Sequence, residues 1–230
     1  MKQVVQIRCK NNKKTQKVAN GSTLSDIFSS FNLKMEHGPV SAKVNNKVEG
    51  MHYRVYNNKD IEFLDMRTSS GSRAYTRTLF FVLCKAVQDL YPGHDVVIDI
   101  PVSNGFYVDV RLERDVTADD VDCIRKRMQE IVDARMPIRR YMVPTEDAIA
   151  LFEEKGDVEK VKLLRTSGSL YTAYYKIGEY VDFYYGTLLT NTSQLYLFGL
   201  EKYYDGMLLR IPSLKNPDEL GEVTRQDKMF

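Results

Sequence analysis

Short runs of alternating hydrophobic and polar residues fill the first 67 positions. The runs "VVQIRC" and "TQKVA" flank the polar turn "KNNKK", a pattern typical of a β-hairpin. The segment "LSDIFSSF" instead carries apolar side chains at helical spacing, with Ser22 or Thr23 as its N-cap. Two further runs alternate around "NN", and "DIEFLD" has a period of two. The pattern predicts one small domain of strands around a helix over residues 1–67.

The hydrophobic runs lengthen after the small polar stretch "TSSGS", residues 68–72, which predicts a linker. The segment "RAYTRTLFFVLCKAVQDLY" predicts a helix that ends before "PG". The runs "HDVVIDIPV" and "NGFYVDVRL" predict a hairpin that turns through Asn104 and Gly105. Thr117 then begins a helix with acidic residues in its first turn. The predicted apolar stripe of the first of these helices comprises Leu79, Val82, Leu83, Ala86, Val87 and Leu90.

The remaining segments continue this mixture of strands and helices. "PIRRYMV" predicts a strand, "TEDAIALFEEK" a short helix and "VKLLRT" a further strand. The last strands are expected in a tyrosine-rich segment, since nine of the 15 tyrosines lie between Tyr171 and Tyr204. The pattern predicts an α+β fold with a second domain over residues 73–212. Residues 213–230, which end in "DKMF", are interpreted as the start of a connection to a further domain.

The composition disfavours membrane proteins, disulfide-rich proteins and metalloproteins. There is no run of about 18 apolar residues and no signal peptide, so we expect a cytoplasmic location without membrane contact. The three cysteines are widely spaced, which suits reduced thiols. His37, His52 and His94 lack metal-ligand spacing, so neither a metal site nor a cofactor is expected in this chain.

Positive charge is concentrated at the beginning of the chain. Residues 1–67 carry 12 Lys or Arg against 6 Asp or Glu, a net charge of +6, while the remainder carries 21 against 25, a net charge of −4. Such a basic region can contact the phosphates of RNA or an acidic partner. A solvated surface without a ligand explains it equally well. The candidate contacts to RNA or phosphate are Lys10, Lys13, Lys14 and Lys17.

The sequence does not support phosphoryl transfer, a cysteine nucleophile or paired catalytic carboxylates. No GxxxxGK[ST] phosphate-binding loop occurs, so this chain alone does not carry out phosphoryl transfer of the phosphate-loop type. Cys84 lies next to Lys85, but its place beside an apolar helical stripe favours core packing over reactivity. Carboxylate pairs such as Asp119 and Asp120 are explained by helix starts and solvated charge.

Two stretches resemble parts of a known enzyme family. "HDVVIDIPVSNGFYVDVRLERDVTADDVDCIRKRMQEIV", with "AVQDLYP" before it and "EYVD" after it, is similar to the editing module of threonyl-tRNA synthetases over about residues 73–189. "NGSTLSDIF" and "AKVNNKVEG" resemble the TGS domain, which precedes that module in the synthetases. The resemblance implies a small ubiquitin-like β-grasp domain followed by an editing-like α+β domain with an antiparallel sheet and helices.

The same resemblance locates an editing site whose side chains are replaced. In the family an HxxxH pair on the first helix and a CxxxH pair after "EYVD" bind a metal or position a water for ester hydrolysis. None of the four residues at these positions here is a good metal ligand or a general base at neutral pH, so we expect no catalytic residue in this chain. The matching positions hold Arg77 and Phe81, then Tyr184 and Leu188.

This degenerate cleft can still hold a ligand. Arg77 can contact a phosphate or a carboxylate through two hydrogen bonds, and tyrosines can stack on a base. A packing role for the tyrosines on a hairpin or at a domain contact is the favoured alternative. The candidate ligand-binding residues are Arg77, Phe81, Asp182, Tyr184, Tyr185 and Leu188.

A second family accounts for the missing histidines and cysteine. "RTLFFVLCKAVQDLYPGHDVVI" and "SNGFYVDV" resemble the N-terminal region of bacterial uridine kinase-like nucleoside kinases, in which TGS and degenerate editing modules precede a phosphate-loop domain. The resemblance implies a non-catalytic binding or regulatory region. Its partner would be the missing C-terminal kinase domain, which would bind ATP and magnesium and phosphorylate uridine or cytidine.

Other functions are also compatible with the sequence. The chain could act as an aminoacyl-tRNA editing module or as an RNA-binding or nucleotide-binding module. It could also associate into a homo-oligomer through its tyrosine-rich surface without any ligand.

Overall fold

The computed structural model describes residues 3–223, apart from the side chain of Asp99. Separate helices and mainly antiparallel sheets confirm the predicted α+β class. The chain forms two compact units: unit 1 contains the described residues before Pro137 and after Gly186, and unit 2 is residues 137–186. The predicted domain boundary at residue 67 lies inside unit 1. None of the described helices is both long enough and apolar enough to cross a bilayer.

The first part of unit 1 is a five-stranded mixed sheet with one helix. Its elements are β1 (Val4–Cys9), β2 (Lys14–Ala19), β3 (Ser22–Thr23), α1 (Leu24–Ser30), β4 (Ser41–Val44), β5 (Lys47–Glu49), β6 (Arg54–Val55) and β7 (Lys59–Leu64). The strand order is β2-β1-β7-β4-β5, and the neighbours β1 and β7 run parallel. This order agrees with the β-grasp arrangement that the resemblance implies.

Alternation along the strands places one apolar face of this sheet against α1. Of the two predicted N-caps, Thr23 is the one used: its Oγ1 accepts a hydrogen bond from the Asp26 amide (3.1 Å), and the Asp26 carboxylate accepts one from the Thr23 amide (3.0 Å). The buried cluster includes Val5, Ile7, Cys9, Leu24, Ile27, Ala42, Val44, Ile61 and Phe63.

The long helix α2 (Ser69–Leu90) begins within the predicted linker, which is therefore wrong over residues 69–72. Thr68 is the N-cap, because its Oγ1 accepts a hydrogen bond from the Gly71 amide at 3.0 Å. Only glycine fits at position 71, since a Cβ there would lie 1.9 Å from the carbonyl oxygen of Asp65. The predicted apolar stripe of α2 is buried except for Leu90, which is 39% exposed at the last turn.

The second sheet of unit 1 is fully antiparallel. Its strands are β8 (Val96–Val102), β9 (Gly105–Val110), β13 (Gly199–Tyr203) and β14 (Gly206–Arg210), in the order β13-β14-β9-β8. The predicted turn through Asn104 and Gly105 is shifted by one residue: Ser103 and Asn104 form it, with φ of 53° and 56°. Gly105 instead starts β9, where a Cβ would lie 2.5 Å from the carbonyl oxygen of Leu209.

Helix α3 (Ala118–Asp133) packs against α2 and β13 and begins with a charged network around Asp120. Thr117 and Asp120 form a reciprocal capping box, which confirms Thr117 as the start of this helix. The Asp120 carboxylate also accepts hydrogen bonds from both terminal nitrogens of Arg114 (2.6 and 2.9 Å) and from the Tyr91 hydroxyl (2.7 Å). One buried carboxylate therefore joins the ends of α2 and α3.

Unit 2 is a three-stranded antiparallel sheet with two helices. Its elements are β10 (Arg139–Pro144), α4 (Thr145–Glu154), α5 (Val158–Thr166), β11 (Tyr171–Ile177) and β12 (Tyr180–Phe183), with the strand order β10-β11-β12. The prediction of a strand at "VKLLRT" is wrong because this run lies in α5. Its buried residues Val161 and Leu164 are three positions apart, as on one helical face, and Asp157 caps the helix.

The tyrosine-rich segment does not form a single cluster. Six of its nine tyrosines lie in unit 2 and three in unit 1, after a short 3-10 helix at Thr192–Gln194. Tyr175 and Tyr203 are buried, whereas Tyr171 and Tyr185 are largely exposed. The strands predicted for this segment are present, but the tyrosines of the segment differ in burial, some lying in the core and others at the surface. The terminal "DKMF" lies outside the described residues.

Candidate functional site

Three of the six candidate cleft residues lie in unit 1. Arg77 and Phe81 are one turn apart on α2; Arg77 is half-buried and Phe81 is fully buried. Leu188 is also fully buried. The two apolar residues at positions that match catalytic histidines of the synthetase family are therefore core residues of this unit.

The segment that carries Leu188 is fixed directly to α2. The amide of Leu189 donates a hydrogen bond of 2.9 Å to Oγ1 of Thr78, which itself donates to the carbonyl oxygen of Ala74 (2.8 Å). Thr78 follows Arg77 on the helix and is fully buried. Within unit 1, the structure therefore brings the two sequence regions that the alignment assigned to one site into contact.

The other three candidates lie in unit 2, on and after β12. Asp182 is buried, Tyr184 is half-buried and Tyr185 is 68% exposed. The ring of Tyr185 packs edge to face on Phe183, with a centroid distance of 5.8 Å. Of the three, Tyr185 presents the greatest exposed surface on which a ligand could stack.

Asp182 forms an ion pair with Lys160. The Nζ atom of Lys160 lies 3.0 Å from Oδ1 of Asp182 and 2.7 Å from Oδ2 of Asp157. Burial raises the pKa of Asp182, and Lys160 opposes that rise without cancelling it. Burial lowers the pKa of Lys160, but the two carboxylates outweigh it, so this pKa is raised. The ammonium group thus stays charged at neutral pH.

Sequence reasoning missed Lys160 because this residue lies just before "VKLLRT", outside every predicted element, and α5 was not predicted. Asp157 caps α5, and Lys160 lies three positions later in its first turn. This i,i+3 spacing predicts an ion pair once the helix is known. The partner across the fold, Asp182, cannot be read from that spacing.

We expect Lys160→Ala to lower the free energy of unfolding by about 1–3 kcal/mol, because it leaves the Asp182 carboxylate buried without its cation. The pKa of Asp182 should rise further, so the folded state binds a proton more tightly than the unfolded state does. The difference in the free energy of unfolding between the unsubstituted protein and Lys160→Ala should then grow as the pH rises from 4 to 7. Urea denaturation at several pH values measures it.

Two variants make this experiment specific. Lys162→Ala removes an exposed lysine from the same helix and should change stability by less than about 0.5 kcal/mol. Asp182→Asn added to Lys160→Ala should recover part of the loss, since it removes the unpaired charge. Equal effects of Lys160→Ala and Lys162→Ala would contradict the role assigned to this ion pair.

The side chains present limit what the candidate cleft can do chemically. Residues 137–186 contain no histidine and no cysteine. In unit 1 the other two aligned positions hold the buried apolar side chains of Phe81 and Leu188. The aligned positions thus offer no imidazole or thiolate for hydrolysis; they hold a guanidinium, two aromatic rings and an aliphatic side chain.

The four candidate RNA-contacting lysines are exposed but do not share one face. Lys10 and Lys13 lie in the β1–β2 turn, and Lys14 and Lys17 lie on β2, which is an edge strand. Side chains three positions apart on a strand point to opposite faces, so Lys14 and Lys17 diverge. Lys10 donates to the Asn46 side chain at 3.3 Å.

A cluster that the sequence did not predict occurs elsewhere in unit 1. One ligand atom from each of Glu36, His37 and Asp218 lies within 4.8 Å of the others. The expectation of no metal site was based on the wide spacing of the histidines. The fold instead brings the carboxylates of Glu36 and Asp218 to His37. Among the described residues, these three are the ones that could hold a metal ion.

Comparison with other proteins identifies threonine–tRNA ligases among the relatives of this chain. The chain is 28% identical over 181 residues to a threonine–tRNA ligase of Marinobacter nauticus. This match covers 78% of the chain and 28% of the ligase. The chain is 31% identical over 209 residues to a threonine–tRNA ligase of Syntrophotalea carbinolica. This match covers 86% of the chain and 33% of the ligase. No family model matches the chain.

These relatives confirm the resemblance to threonyl-tRNA synthetases over most of the chain. The chain spans about a third of the length of the curated relatives it matches. Neither of the two relatives is named as a nucleoside kinase, so they favour the synthetase-like interpretation over the kinase fusion.

Proposed function

We propose that this chain is a synthetase-like module that binds tRNA without hydrolysing an aminoacyl ester. The similarity to threonine–tRNA ligases over 78% to 86% of the chain carries the proposal, because those proteins act on tRNA. The basic β1–β2 hairpin supplies charge for phosphate contacts. Arg77 in unit 1 and Tyr185 in unit 2 are each candidate contacts to RNA.

The loss of chemistry is supported by burial. A hydrolytic site needs a base or a metal-bound water exposed to the ester. Phe81 and Leu188 occupy two of the four aligned positions and are both fully buried. The residues that remain can neutralise phosphates and stack on bases, which is sufficient for binding.

Direct binding of a threonine-specific tRNA transcript tests this proposal. Fluorescence anisotropy should show an affinity that falls steeply between 50 and 200 mM salt, since phosphate contacts release counterions. Charge reversal of Lys13 and Lys14 together should weaken binding by about tenfold or more at low salt. No binding at 50 mM salt would refute the proposal.

Two controls separate binding by the hairpin from general electrostatics. Charge reversal of the exposed Lys215, which lies near the other end of the sequence, should have a much smaller effect. The chain should also leave misacylated seryl-tRNA intact at the rate of buffer alone. Hydrolysis that disappears on Arg77→Ala would show that an editing activity has survived.

A second proposal concerns the parent protein. We infer a fusion to a uridine kinase-like phosphate-loop domain, in which this chain would be a non-catalytic regulatory region and ATP and magnesium would bind to the other domain. The replacement of all four aligned site residues supports it, because a kinase has no need of ester hydrolysis. ATP-dependent phosphorylation of uridine by the full-length protein would support the fusion, and threonylation of tRNA would exclude it.

A further inference from the structure

We propose that Glu36, His37 and Asp218 form a binding site for a divalent transition-metal ion of the zinc class. The site lies in unit 1 and is independent of the proposed tRNA binding. It would join the loop between α1 and β4 to the segment after β14. The three side chains offer one nitrogen and two oxygen ligands.

The geometry of the cluster is close to that of a metal site. His37 Nε2 lies 3.2 Å from Asp218 Oδ1, and the set of three ligand atoms fits within 4.8 Å. Two ligands about 2.0–2.2 Å from a tetrahedral zinc ion lie about 3.3–3.6 Å apart. The His37 and Asp218 atoms are therefore already near the required separation. Glu36 is exposed and can move to complete the set.

The imidazole is held in position rather than free to rotate in solvent. Its side chain is only 11% exposed, and its ring stacks on Tyr196 with a centroid distance of 4.3 Å and an angle of 12°. The Tyr196 hydroxyl donates to the carbonyl oxygen of Pro217 at 3.0 Å, which fixes the chain next to Asp218. One tyrosine thus positions two of the three ligands before any ion binds.

The charges around the cluster favour a cation. Glu36, Asp218 and Asp65 carry negative charge in this region, and Arg67, paired with Asp65 at 2.5 Å, carries positive charge. The cluster therefore has a surplus of negative charge. A divalent ion would neutralise the surplus.

The donor set selects the class of ion. An imidazole nitrogen suits zinc and neighbouring transition metals, whereas magnesium and calcium prefer oxygen ligands alone. Three protein ligands leave a fourth position for water. Because the ligands come from distant parts of unit 1, bound metal should stabilise the folded chain.

Titration of the tag-free chain with zinc chloride in a calorimeter tests this proposal at pH 7.5. One zinc ion should bind per chain, and a tenfold excess of magnesium should leave the affinity almost unchanged. His37→Asn and Asp218→Asn should each weaken zinc binding at least tenfold. Zinc should raise the midpoint of thermal unfolding of the unsubstituted chain, and this shift should be lost in both variants.

The matched control is Glu219→Gln, which removes the adjacent exposed carboxylate outside the cluster. It should bind zinc as tightly as the unsubstituted chain. Asp218 is 63% exposed, so Asp218→Asn should fold normally, and circular dichroism without metal checks this. The absence of zinc binding, or equal binding by Asp218→Asn and Glu219→Gln, would overturn the proposal.

Discussion

Replacing Phe81 with alanine is expected to lower the free energy of unfolding by about 3–5 kcal/mol. The ring is fully buried on α2, so truncation removes its contacts and leaves a cavity in the core of unit 1. Leu188→Ala, at the other fully buried aligned position, should cost about 2–5 kcal/mol for the same reason. Urea denaturation followed by circular dichroism measures both.

Exposed leucines provide the matched controls. Leu90→Ala on the same helix, where the side chain is 39% exposed, should cost about 1 kcal/mol or less, and Leu170→Ala, where it is 84% exposed, should cost less still. If Phe81→Ala and Leu188→Ala cost no more than these controls, the two positions would face an open cleft. That result would restore the possibility of a ligand there.

The burial of Phe81 also determines what an imidazole at this position would do. Phe81→His would place an imidazole, as in the synthetase pattern, in a position without solvent. A buried imidazole needs a hydrogen-bond partner and is destabilised further when it is protonated. A histidine at position 81 would therefore disturb the core of unit 1.

Replacing Asp120 with asparagine is expected to lower the free energy of unfolding by about 2–3 kcal/mol at pH 7. The carboxylate accepts hydrogen bonds from Arg114, Thr117 and Tyr91, and asparagine cannot reproduce the charge-assisted ones. The side chain of Asp120 is only 8% exposed, so solvent compensates little for the loss. Chemical denaturation at pH 7 gives the first measurement.

The effect should depend on pH with a defined sign. The hydrogen bonds from Arg114 hold the pKa of Asp120 well below its usual range, and the capping contacts to Thr117 and the Tyr91 hydroxyl add to this effect. The unfolded chain binds the proton first, at a pKa of about 4. The stabilisation is therefore complete above that pH and is lost progressively as the pH falls below it. The stability difference between the unsubstituted protein and Asp120→Asn should shrink accordingly.

The neighbouring residue is the control for this experiment. Asp119→Asn also removes a negative charge from the first turn of α3, but Asp119 is exposed. It should cost only about 0.3–1 kcal/mol, the usual helix-dipole contribution. Equal costs at the two positions would show that the dipole, and not the network with Arg114, determines the stability.

Local signals in the sequence predicted most of the elements. Thr117 and the acidic residue three positions later specify a helix start by themselves, and the alternation of β1 and β2 specifies a hairpin. The errors occur where one signal has two explanations. "VKLLRT" is too short for its period to be decided without the Asp157 cap, and "TSSGS" is polar whether it forms a linker or a capped first turn.

The candidate site was predicted less completely because it depends on contacts between distant residues. The alignment located Arg77 and Leu188, but their burial is set by the packing of α2 and the segment around Leu189. Lys160 and Asp182 are a pair only in the folded chain. The same is true of His37 and Asp218, since no spacing in the sequence connects them.

The position of β2 gives its lysines a consequence that does not involve any ligand. β2 is an edge strand of the first sheet, so its outward backbone amides and carbonyls could pair with a strand of another copy. Lys14 and Lys17 place positive charge along this edge, on both of its faces. Repulsion between two such edges opposes sheet-to-sheet aggregation, so the charge of the hairpin also protects the chain against non-specific association.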